Sequence, residues 1–173
     1  MQSRWGRDII PLFLLTAFPI HLWSYYNVMR EFPAWLARLN PIDLIATIGF
    51  SQLMPFLESI IVFVPILIVV RWLPQRFEQA ERIAMVFCFL MVSAAWSIFF
   101  HWSVDVVRTW RLAFVGFGGF YLVTLALPLA YLLRSKTAAV RIADVVERLN
   151  VLSAIYIAID LVCILIVIAF LFI

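Results

Sequence analysis

The sequence predicts an all-α fold: a polytopic integral membrane helical bundle with five transmembrane helices and a cytoplasmic N-terminus. Three observations lead there. Of 173 residues, 66% are apolar and 13% charged, with mean hydropathy +1.07. Soluble domains run about 45–50% apolar and about 25% charged. A chain this short has no core large enough to hide that excess, so lipid is the expected solvent. Second, five stretches reach the roughly 20 apolar residues that cross about 30 Å of hydrocarbon. Third, none shows the alternating polarity of a membrane barrel strand. The same composition excludes a disordered chain, a disulfide scaffold (two cysteines) and a soluble nucleic-acid binder.

The first run, residues 9–29, carries no charge. It is longer than a signal-peptide core and no small-x-small site follows, so a span rather than a cleaved leader is expected. Trp23, Tyr25 and Tyr26 near its end suit an interfacial aromatic belt. Residues 33–39, with Trp35 and Arg38, read as a short amphipathic helix on the outer side, and Asn40 as a helix cap. The second run, 44–70, holds Glu58 between Pro55 and Pro65. Each proline frees a carbonyl four residues back, those of Ser51 and Ile61.

The third run (83–104) and the fourth (112–133) are again charge-free. Gly116, Gly118 and Gly119 in the fourth permit close backbone approach by a neighbour. Residues 138–149 place Ile142, Val145, Val146 and Leu149 opposite Arg141, Asp144 and Arg148. That pattern predicts an interfacial helix in the inner headgroup layer, capped near Asn150. The fifth run, 149–173, contains Asp160. With no linker or internal repeat, residues 1–173 read as a single transmembrane domain.

Orientation follows from the basic residues of the short loops. A cytoplasmic N-terminus puts Arg4, Arg7, Arg71, Arg76, Arg82, Arg134, Lys136, Arg141 and Arg148 inside. Arg30, Arg38, Arg108 and Arg111 are then outside. The plasma (inner) membrane is the expected location. The net charge of +3 reflects this bias, and no nucleic-acid partner is expected.

Glu58 and Asp160 are the sharpest polar features. An intramembrane carboxylate is costly and marks a functional site by default; alternatively each acid is hydrogen-bonding glue between helices. Both readings stand for both residues. Ser153, Tyr156, Asp160 and Cys163 share one helical stripe, and Ser93, Ser97, His101 and Asp105 share another. Trp96, Tyr121 and Tyr156 lie inside spans and are expected to face other helices. His101 and Asp105, four apart, can bond directly, and His21 is the other histidine. A haem held through His21 or His101 is conceivable, but their depths differ by roughly 9 Å and no C-x-x-C-H is present. The expectation is no cofactor and no metal. Walker A, G-x-S-x-G, H-E-x-x-H and Rossmann fingerprints are absent.

Phe18-Pro19-Ile20-His21-Leu22 on a first helix, Glu58 with Pro65 on a second, and Tyr121 with Pro128 and Arg134-Ser135 on a fourth resemble the emopamil-binding family. The resemblance covers residues 12–135 and implies a cavity for a sterol or other lipophilic small molecule near Glu58, in a binding protein or an intramembrane isomerase. The first helix lacks the family's acid, and the fifth span is extra. Weighed together, the residues favour a non-catalytic integral subunit or scaffold of a larger membrane complex. The expected partners are membrane lipids and other integral subunits or further copies of the chain. A lipophilic-ligand protein is the alternative, and a proton-coupled carrier using Glu58 and Asp160 a second one.

Overall fold

Helix dominates because a long apolar segment satisfies its backbone hydrogen bonds within itself only as a helix. The computed structural model describes residues 4–74, 77–105 and 111–172, and among them there is no strand. Five helices follow in order: α1 (Arg4–Arg38), α2 (Pro41–Trp72), α3 (Gln79–Trp102), α4 (Arg111–Arg134) and α5 (Lys136–Leu171). All five contain segments long and apolar enough to cross a membrane.

Two elements differ from expectation. The segment 33–39 is not a separate helix but the end of α1, which runs on through Pro11, Pro19 and Pro33. A proline removes one backbone hydrogen bond, and with no turn residues beside it this costs a local bond without ending the helix. Likewise, the interfacial helix expected at 138–149 is the opening part of α5, a continuous helix of 36 residues. No glycine or proline interrupts that stretch, so nothing separates its amphipathic start from its apolar remainder. Asn150 therefore sits mid-helix, its Oδ1 buried without a hydrogen-bond partner. Asn40 is a cap as expected: its Oδ1 accepts the Asp43 backbone N–H at 2.9 Å.

The connections are tight. Glu78 opens α3 with a reciprocal capping box, its backbone N–H donating to Glu81 Oε2 at 2.8 Å. Ser135 alone joins α4 to α5. Its N–H closes α4 onto Tyr131 O at 3.1 Å, while its carbonyl and Oγ accept the N–H groups of Ala139 (3.2 Å) and Ala138 (3.3 Å).

Packing groups the chain into two compact units, residues 1–69 with 147–173, and residues 70–146. In the first, α1, α2 and the later part of α5 meet. Leu12, Leu15, Ala17, Ile66, Cys163 and Val167 are buried, and Phe13 packs edge-on against Phe63 at 5.4 Å. Gly49 lets α2 approach α5 closely, since a Cβ there would lie 3.3 Å from Ile166 Cγ2. In the second unit, Ala84, Leu132 and Ala139 form a small core flanked by Met85, Cys88 and Ile142. Lys136 Nζ bonds Glu78 Oε1 at 2.8 Å. That contact holds the Glu78 carboxyl below its ordinary range and lifts the Lys136 ammonium above its own.

In both units large aliphatic and aromatic residues point outward. Ile61 is 70% exposed and Leu165 67%, while Thr16, His21, Gln52, Ser59, Ser153 and Asp160 are buried. Trp72 and Trp102, at the ends of α2 and α3, are also exposed. Water outside would favour the reverse arrangement.

Candidate functional site

The first unit is organised around His21. Its position on α1 faces Asp160 of α5, and Nε2 lies 2.6 Å from Asp160 Oδ2, with both side chains fully buried. Nδ1 lies 2.8 Å from Ala17 O; a carbonyl only accepts, so Nδ1 carries a hydrogen and donates. Ser59 Oγ of α2 donates to Pro55 O at 2.6 Å and presents its oxygen 3.5 Å from the same nitrogen. The proton between Nε2 and Oδ2 leaves the pair net neutral whichever atom holds it. That is how a histidine and an aspartate can both be withdrawn from water without an unpaired charge.

Tyr156 lies parallel to the His21 ring, with centroids 5.9 Å apart and planes 7° apart. Tyr25 packs on Tyr156 at 5.0 Å. The stripe expected on the last helix is thus real: Ser153, Asp160 and Cys163 are buried and Tyr156 half-buried. Its contacts lie within the chain, but Asp160 Oδ1 is buried without a hydrogen-bond partner. Both His21 nitrogens point at protein atoms, and the ring contacts side chains or backbone of α1, α2 and α5.

Glu58 lies elsewhere on α2. Its neighbour Ser59 faces His21, while Glu58 itself is exposed and makes no hydrogen bond or ion pair among the described residues. It sits roughly 26 Å from the start of α2 and roughly 21 Å from its end at 1.5 Å per residue. Beside it, α1 and α2 frame a cleft of about 360 Å³. Ile20, Trp23, Ser24, Asn27, Val28, Glu31 and Trp35 form one wall; Ser51, Met54, Pro55 and Glu58 form the other. His21 is not in this lining, so Glu58 and His21 do not serve one cavity.

The second unit holds the remaining expected residues. Trp96 Nε1 donates to Thr124 Oγ1 at 2.8 Å, and Ser93 Oγ and Tyr121 Oη are 3.0 Å apart. Trp96 sits in an aromatic cluster with Phe99, Phe100 and Phe117, facing α4 as expected. Ser97 Oγ turns back to Ser93 O at 2.9 Å. His101 and Asp105 are exposed at and just beyond the end of α3. A Cβ placed on any of the three glycines of α4 would meet no atom within 4 Å, so no close approach by a neighbour is seen there among the described residues. Among the described residues no group of three or more His, Cys, Asp or Glu side chains is placed to hold a metal ion.

Sequence reasoning missed the α1 wall of the cleft. Its signal was there: Ser24, Asn27 and Glu31 recur at spacings of three and four, but aromatic neighbours made them look like a membrane-interface belt. Fold and site together define an all-helical chain with five helices long and apolar enough to cross a membrane and a few polar side chains buried among apolar ones. No family model, curated protein or solved structure matches the chain, and none therefore accompanies the resemblance of residues 12–135 to the emopamil-binding family.

Proposed function

We propose that this chain is a non-catalytic integral subunit of a larger membrane assembly, a multi-pass protein of the plasma (inner) membrane with its N-terminus in the cytoplasm. The observation that carries this reading is Glu58. An exposed, unpaired carboxylate halfway along an apolar helix costs about 2.5–3.5 kcal/mol against lipid. A partner subunit over that face removes the cost. The buried His21–Asp160 pair supports the same reading, because it is sealed from any substrate and ties three helices into a rigid platform.

A second reading is favoured by the cleft itself. Its volume of about 360 Å³ falls within the roughly 300–1,000 Å³ of small-molecule sites, so a lipophilic ligand is the competing occupant. Native mass spectrometry of the protein extracted from its own membrane in mild detergent separates the two. The subunit reading expects a mass far above 20.0 kDa that resolves into other chains. A mass of 20.0 kDa or a simple multiple overturns it, and a bound lipophilic adduct at that mass supports the ligand reading.

A further inference from the structure

We propose that the cleft between α1 and α2 is a socket for one basic side chain, a lysine or arginine carried midway along a membrane-spanning helix of the partner subunit. This rests on the subunit reading and specifies the chemistry of its contact. The cleft offers acceptors. Asn27 Nδ2 and Ser51 Oγ donate to Trp23 O (3.0 Å) and Thr47 O (2.7 Å), and each of these two lining residues still has acceptor oxygen to offer. Glu31 at the rim is already met by Arg30 at 3.1 Å, so Glu58 is the carboxylate still requiring a donor. No lysine, arginine or histidine lines the space.

Size points the same way. A helix is about 10–12 Å across with its side chains, too broad for about 360 Å³; one long side chain reaching in from a helix resting on the rim fits. Apolar walls at Ile20, Met54 and Pro55 suit a methylene stem. A charged head beside Glu58 then makes the charge-assisted bond that an intramembrane carboxylate needs.

The test uses the assembly in its native membrane. With p-benzoylphenylalanine at Met54, illumination should join the chain to a peptide from an apolar span holding a lysine or arginine within about two helical turns of the crosslink. Glu58→Gln should lower co-purification of that partner about tenfold or more, with the variant's own yield and helicity unchanged. Replacing the partner's basic residue with glutamine should lower it similarly. Exchanging the two charges, with Glu58→Lys opposite a glutamate, should restore part of the loss and so exclude misfolding as the cause. Crosslinking only to lipid, to this chain or to a peptide lacking a basic residue overturns the socket, as does wild-type co-purification of Glu58→Gln. A wild-type chain that leaves the membrane alone instead overturns the subunit reading itself.

Discussion

At the scale of single residues, the His21–Asp160 contact is the clearest consequence of placing polar chemistry in an apolar medium. Removing one member strands the other with no water to turn to. Asp160→Leu and His21→Leu should each lower stability, and the double variant should be less destabilised than their sum. The expected coupling is about 0.6–1.7 kcal/mol, the span from average to largest in double-mutant cycles on interhelical hydrogen bonds. A double-mutant cycle on denaturant unfolding in detergent measures it, and strict additivity would refute the pairing. Asp160 was legible in the sequence because Ser153, Tyr156 and Cys163 share its stripe. Its partner was not, because 139 positions separate His21 from Asp160 and periodicity describes one helix at a time. The resemblance implied a cavity near Glu58, but its lining was hidden for the same reason: Met54 and Ser51 acquire meaning only opposite Asn27 and Trp23.

Among the elements, two kinds of glycine are distinguished by their surroundings. Gly49→Leu should destabilise by about 1–3 kcal/mol through overpacking, since even its Cβ would crowd Ile166. Gly116→Ala meets nothing and should be neutral or stabilising by up to about 1 kcal/mol, as backbone freedom in the unfolded chain falls. Thermal unfolding of the two variants side by side checks the contrast; equal effects would mean α2 and α5 do not meet at Gly49. The Glu78–Lys136 tie gives a pH dependence of known sign. A lowered carboxyl contributes stability above its ordinary range and loses it as pH falls through the lowered value. A raised ammonium contributes below its ordinary range and loses it as pH rises past the raised value. The difference in thermal midpoint between wild type and Glu78→Gln should therefore be level from about pH 5 to pH 10 and shrink on either side. Both groups are exposed, so the difference should be small and diminish with salt. Helix number and order were readable from five apolar runs, three charge-free and two with a single carboxylate, whereas two breaks were assigned where polarity changes. Polarity reports the medium around a helix; only the local backbone chemistry, as at Ser135 and Asn40, reports where it ends.

For the whole molecule, the proposed membrane setting places the exposed Ile, Leu and Phe side chains against lipid and takes its direction from the basic loops. With the N-terminus cytoplasmic, a cysteine replacing Asn40 should react with an impermeant thiol reagent added outside intact cells. A cysteine replacing Ser135 should react only after the cells are opened. Both labelling experiments need a background in which Cys88 and Cys163, which are free, have been replaced. The opposite pattern would invert the proposed topology. The length of the helices sets a further expectation: α5, with 36 residues, is roughly 54 Å long at 1.5 Å per residue. That exceeds the roughly 30 Å of a bilayer's hydrocarbon, so under the proposed reading part of α5 extends beyond the apolar layer.

The single-residue joint at Ser135 makes chain length, rather than side-chain identity, the protected quantity. Connecting loops ordinarily absorb insertions. Here one added residue would advance the following helix by about 100°, swinging Ala139 off the Ala84–Leu132 core and presenting a polar face in its place. Threonine, asparagine or aspartate could stand in for the serine as a cap. A deletion or duplication of that position could not be repaired by any choice of residue, so the joint works as a phase setting between two helices, and related sequences should vary there in letter and never in count.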